Sequence, residues 1–227
     1  MFGRTLLIFP PSPVEVLDMN QTSDASPRSL YLKVSPGQLA RFHSLLREGF
    51  LVEAEPGCTI KALLCEQFMV SPEYLEARVQ TLFLNGKPVD DLDRTEVPAG
   101  ATLALSAAMP GLVGATLRRG GYYAPMRSEI TCREPGTCAA TGENMVTVKL
   151  FNLLGPELAP TFLARGIWLS GRRLREFLSR QPEEFWVGCQ TIHRDATPMT
   201  TTALRSMTWS NQSEPVRLCV TVAEWVK

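Results

Sequence analysis

The residues best suited to chemistry lie in Met109-Pro-Gly-Leu-Val-Gly-Ala-Thr-Leu-Arg-Arg-Gly-Gly-Tyr-Tyr123. Gly111, Gly114, Gly120 and Gly121 with Arg118 and Arg119 have the composition of a backbone nest for an anion. Residues without side chains let N–H groups converge, and arginine adds positive charge. No Gly-Lys-Ser/Thr follows, so the stretch is no P-loop, and its spacing is not that of the dinucleotide fingerprint. An enzyme holding an anionic substrate at residues 111–121 is one expectation. The structural alternative is that the glycines let a loop cross closely over a sheet.

Other chemistry-bearing residues are scattered. His193 stands beside Arg194 and Asp195 in a polar stretch, but no GxSxG elbow or catalytic-cysteine signature accompanies them. His43 follows the apolar Phe42 and falls on the rim of its helix. Cys132 and Cys138 bracket a turn-rich segment that can close a disulfide or join a metal site, yet they lack CxxC spacing. Asp90, Asp91 and Asp93 lack the spacing of a calcium-binding loop. Arg172, Arg173 and Arg175 open a helix, where positive charge opposes the dipole; they read as a solvated face or a docking patch. No acid–base, metal or nucleophile set is assembled. A non-catalytic role is expected in preference to an enzymatic one, with no cofactor and no metal.

Composition agrees with that restraint. The 227 residues carry 23 basic and 23 acidic side chains, so no electrostatic footprint for nucleic acid or an anionic membrane is present. No apolar run reaches the roughly 20 residues a bilayer span needs. Leu6-Leu-Ile-Phe9 is cut off by Pro10-Pro11, too short for a secretory signal. A cytoplasmic location is expected, with neither nucleic acid nor membrane as partner. Six cysteines are too few for a disulfide scaffold.

These residues must be positioned by regular elements. Residues 1–28 read as an irregular leader. Alternation predicts strands over 29–34, 50–55, 79–84, 101–108, 146–151, 166–169 and 216–223. Helical spacing predicts helices over 37–47, 60–68, 72–78 and 172–179, and a helical segment over 153–165, at least from Pro160. Thr59 and Ser71 are capping residues, and Asn85-Gly86 is a two-residue hairpin turn. Residues 132–144 read as a linker, and 188–213 are poor in pattern.

Leu51-Val-Glu-Ala-Glu-Pro-Gly-Cys-Thr-Ile60, Val70-Ser-Pro-Glu73 and Thr81-Leu-Phe-Leu-Asn-Gly-Lys-Pro-Val-Asp90 occur in that order. Over residues 29–121 this resembles the ubiquitin-like β-grasp superfamily, and in particular the bacterial sulfur carriers of thiamine and molybdopterin synthesis. The resemblance implies an α+β fold, a mixed sheet crossed by a helix. Two departures stand out: the first hairpin carries a helical insert at 36–48, and Gly120-Gly121 is internal. Carrier chemistry would need cleavage after Gly121 to free its carboxylate.

A shift of 117 residues lays Ser29-Leu-Tyr-Leu-Lys-Val34 on Val146-Thr-Val-Lys-Leu-Phe151, and Gly49-Phe-Leu-Val52 on Gly166-Ile-Trp-Leu169. This suggests two tandem units, the second degenerate and lacking a clear third strand. The organisation expected is a leader (1–28), a β-grasp-like domain with a helical insert (29–131), a linker (132–144) and a second α+β domain (145–227). The function expected is a non-catalytic module that binds a protein or ligand. The alternatives are a sulfur-carrier or modifier precursor activated at Gly121, and the anion-binding enzyme at 111–121.

Overall fold

Alternating burial of Leu30, Leu32 and Val34 makes β1 (Arg28–Val34) a strand with one face inward. The computed structural model describes residues 28–127, 130–131, 144–207 and 214–223. After β1, a 3₁₀ turn (Pro36–Phe42) runs into α1 (His43–Glu48), so the expected helix is tighter in its first half. Then come β2 (Phe50–Glu53) and α2 (Ile60–Ala62), which Thr59 caps by accepting from the Ala62 N–H. The helix widens into a π turn over Leu63–Gln67, where a plain α-helix was expected. Ser71 caps α3 (Pro72–Arg78), and β3 (Thr81–Leu84), β4 (Lys87–Pro88) and β5 (Thr102–Ser106) follow.

The glycine stretch expected to be loop contains α4 (Gly111–Leu117) and a 3₁₀ turn (Ala124–Arg127). The later chain gives β6 (Met145–Phe151), α5 (Leu154–Arg165), β7 (Ile167–Ser170) and α6 (Gly171–Ser179). After α6 come α7 (Glu183–Val187), β8 (Cys189–Arg194), β9 (Thr197–Pro198) and α8 (Thr201–Ser206) before β10 (Pro215–Val222). The strand β8 lies in the stretch 188–213 that is poor in pattern. Only Ile192 on it is buried, so no apolar alternation marks it. Residues 132–143, with Cys132 and Cys138, lie outside the described residues.

The described strands form one mixed sheet in the order β4-β3-β5-β6-β2-β7-β10-β1-β8-β9. It reads alike from both edges. From β4 inward and from β9 inward, the pairings run antiparallel, antiparallel, parallel, antiparallel. The halves meet at β2 and β7 through Leu51 opposite Trp168. β1 and β2 are not hairpin neighbours, because β7 and β10 stand between them. The helical insert is therefore a crossover of the sheet, not an enlarged turn. Each half also borrows a strand: β6 lies between β5 and β2, and β1 lies between β10 and β8.

The two outer hairpins show which strands correspond. Asn85 and Gly86 turn β3 into β4 with φ of 51° and 78°. Asp195 and Ala196 turn β8 into β9 with φ of 52° and 83°. Asn85 Oδ1 accepts from the Thr102 N–H on β5 at 2.8 Å; Asp195 Oδ1 accepts from the Ser29 N–H on β1 at 2.6 Å. In space β1 is the counterpart of β5, whereas the 117-residue shift aligns it with β6.

One core serves both halves. Leu45 and Leu46 of α1, Ile60, Leu63 and Leu64 after Thr59, Phe162 of α5 and Phe177 of α6 belong to a single buried cluster with Val146, Val148 and Leu150 of β6. Phe162 meets Phe50 and Phe68 edge-on, with ring centroids 5.2 and 5.4 Å apart. Each fully buried Phe stabilises by about 1.5–3 kcal/mol. α3 is tied to α5 by Glu157, whose carboxylate accepts from the Tyr74 hydroxyl at 2.6 Å and pairs with Arg78. Arg78, then Tyr74, hold the Glu157 carboxyl below its ordinary range, while burial and Glu157 push the Tyr74 phenol up. No described helix is long and apolar enough to cross a membrane.

Candidate functional site

Residues 109–127 form a lip fixed by hydrogen bonds to Gln80, just before β3, and to Asp90 in the β4–β5 connection. Gly111 takes φ +77° as the chain enters α4, a left-handed conformation suited to glycine. Gly114 faces the preceding backbone so closely that a Cβ there would lie 2.0 Å from the Met109 carbonyl oxygen. Arg119 donates its backbone N–H to the Gln80 carbonyl at 2.8 Å, and its guanidinium forks onto Glu76 at 3.0 and 3.3 Å. Gly120, at φ +59°, donates its N–H to Asp90 Oδ1 at 3.1 Å. Gly121 donates to the Arg118 carbonyl.

The residue organising all of this is Arg127, which the sequence reading did not single out. It is only 5% exposed. Its guanidinium forks onto both oxygens of Asp90 at 2.7 and 3.0 Å. Its Nε donates to the Thr116 carbonyl at 2.7 Å, and Nη1 donates to the Thr131 hydroxyl. A charged fork of this kind is stronger than a neutral bond and fixes orientation as well as distance. Nothing local in Ala-Pro-Met-Arg127 marks it, because its partner is 37 residues away.

Of the residues named from sequence, Gly120 meets Asp90 and Arg119 meets Glu76, both carboxylates of the chain itself. The Gly120 N–H and the Arg127 fork converge on the Asp90 carboxylate, where the sequence suggested an external anion. Of the two arginines named from sequence, Arg119 is paired with Glu76, while Arg118 is exposed and lines a cleft of about 560 Å³. Met109, Pro110, Ala115, Tyr122 and Tyr123 form much of the rest of that cleft.

Around it the lip is unusually apolar. Tyr122 is 90% exposed, Met126 76%, Leu112 71% and Val113 67%, with Tyr123 and Ile130 also open. The two tyrosine rings meet edge-to-face with centroids 5.1 Å apart. Single exposed apolar residues are ordinary; here six fall within one short stretch of chain. A second cleft, about 770 Å³, lies beside the β8–β9 hairpin. Its Asp195 is held by the Ser29 N–H and lies 3.7 Å from Arg194.

The remaining candidates are dispersed. Asp91 caps the turn by accepting from the Asp93 and Arg94 N–H groups, and Asp93 pairs with Lys61. Arg173 reaches Glu48 at 3.5 Å. His193 sits opposite Tyr31 in the sheet. Burial lowers the pKa of His43. Burial also raises the thiols of Cys58, Cys65 and Cys219, and that of Cys189 to about 11. Such thiols are poor nucleophiles at neutral pH. Among the described residues no cluster of three or more His, Cys, Asp or Glu is placed to hold a metal.

No family model, curated protein or solved structure matches this chain.

Proposed function

We propose that this chain is a non-catalytic protein-binding module, built from two ubiquitin-like β-grasp units with exchanged strands. Its docking surface is the apolar lip 112–127. The β-grasp part is supported by the mixed character of each five-stranded half, with one parallel pair, and by the helical segment entered at Thr59, whose Ile60, Leu63 and Leu64 join the buried core. The docking part rests on one observation: Leu112, Val113, Tyr122 and Met126 are exposed together on a lip that two arginine–carboxylate pairs hold in place. A surface fixed before contact loses little entropy on binding.

The sheet edges favour the lip over strand addition as the docking mode. Each edge strand is two residues long and ends in proline, Lys87–Pro88 at one side and Thr197–Pro198 at the other. Short proline-bearing edges resist pairing with another chain.

A photo-crosslinking amino acid in place of Tyr122 tests the reading in native cells. A discrete protein adduct is expected at 122. It should be absent from the same probe at exposed Lys33 and lost when Leu112→Glu and Met126→Glu are added. Equal labelling at 33 and 122, or no adduct at 122, would refute it. The carrier alternative requires a cut ahead of a segment that supplies five of the ten described strands. An intact mass ending at Gly121 in protein from its own host would favour that alternative.

A further inference from the structure

We infer that the partner presents an acidic, apolar peptide segment to the lip, with Arg118 receiving its carboxylate. This rests on the docking reading and adds the chemistry of the occupant.

The argument is one of charge complementarity. Among the described residues 109–127 and 130–131, the chain has three arginines and no acidic residue; Glu129 lies outside the described residues. Two of the three are neutralised within the fold, Arg119 by Glu76 and Arg127 by Asp90. The third, Arg118, stands exposed at the cleft among Met109, Pro110, Tyr122 and Tyr123. The Arg127 guanidinium also lies against the backbone here, with Nη2 3.4 Å from the Arg118 carbonyl. Among the described residues the lip thus offers one exposed positive charge, Arg118, set in apolar and aromatic side chains. Its complement is one carboxylate flanked by apolar or aromatic groups. A cleft of about 560 Å³ takes only a few side chains, and Leu112, Val113 and Met126 extend the apolar surface past Arg118. An extended peptide covers both, whereas a small carboxylic acid covers the cleft alone. Planar arginine also suits a carboxylate through paired N–H donors.

Fluorescein-labelled dodecapeptides of alternating Asp, Leu and Phe supply the test, beside matched series with Asn or Lys in place of Asp. Binding is read by anisotropy at low and at 0.5 M salt. The acidic series should bind the wild-type protein about tenfold more tightly than the Asn series, as expected for hydrogen bonds to a charged group. The Lys series should be weakest. Arg118→Gln should erase the preference, Arg118→Lys should keep part of it, and Arg118→Glu should invert it toward the Lys series. Salt should reduce the preference. Hydrogen–deuterium exchange over 111–127 checks that each variant keeps the lip folded. Equal affinity for all three series, or an unchanged preference in Arg118→Glu, overturns the inference. Binding of none of the peptides overturns it too. In either case the adduct at position 122 still decides separately whether the lip docks a protein. A short apolar carboxylic acid that competes fully with the acidic peptide would overturn the assignment to a peptide.

Discussion

Arg127 shows how one side chain sets the geometry of a surface without belonging to it. Buried to 5% exposure, it joins Asp90, Thr116, Thr131 and the backbone of Arg118. Removing the guanidinium strands the Asp90 carboxylate and uncaps the Thr116 carbonyl. Breaking a well-buried pair from one side costs about 3–5 kcal/mol. Asp90 is about one-third exposed, so solvent recovers part of this. Arg127→Met is therefore expected to lower stability by about 2–3 kcal/mol in urea unfolding. Amide protection should be lost first over 111–121, ahead of β3. Unchanged protection there would remove Arg127 from this role.

At the scale of elements, the outer hairpins carry the most direct comparison. Asn85-Gly86 places a glycine at φ +78°, while Asp195-Ala196 places an alanine at φ +83°. A non-glycine residue in the left-handed region costs about 1–2 kcal/mol. Ala196→Gly should therefore raise stability by about 1 kcal/mol and Gly86→Ala should lower it by a similar amount, read as opposite shifts in thermal midpoint.

The α3–α5 tie yields a pH dependence. The folded Glu157 carboxyl titrates below its unfolded value because Arg78, then Tyr74, bond its ionised form. Its contribution to stability is present above the unfolded pKa, near 4.3, and is lost as pH falls through the lower folded value. Arg78→Gln should move the Glu157 titration, followed by carboxyl NMR, up toward the ordinary value. It should also flatten stability against pH in that acidic window.

For the whole molecule, the exchanged strands are decisive. β6 separates β5 from β2, and β1 separates β10 from β8. A fragment covering 28–131 lacks β6, so β5 and β2 are left without the strand that joins them. Unpaired strand edges invite aggregation. Each fragment alone, 28–131 or 132–227, is expected to aggregate or to lack a cooperative thermal transition. The two expressed together should recover a single transition. A stable, cooperative 28–131 fragment would show that the halves fold independently.

Much of the architecture was legible because periodicity is local. Alternation at Leu30, Leu32 and Val34 marks a strand wherever that strand ends up. Thr59 and Ser71 cap helices with their own hydroxyls, and Asn85-Gly86 turns a hairpin by its own dihedral preference. β8 escaped because it is half-exposed near an edge, and Asp195-Ala196 escaped because alanine gives no turn signal. The glycines and arginines of the lip were legible as a group. Their purpose was not, because Asp90, Glu76 and Arg127 reach them across long stretches of chain. Residue types and spacing by themselves determined the strongly patterned strands and helices, such as β1, β5 and α6, and which face of each is buried. Only the tertiary structure decided which strand lies beside which, and which carboxylate meets which arginine. Those choices turn on the summed packing and register of apolar strands that are nearly interchangeable when read singly, and on contacts whose closure in space leaves no local mark.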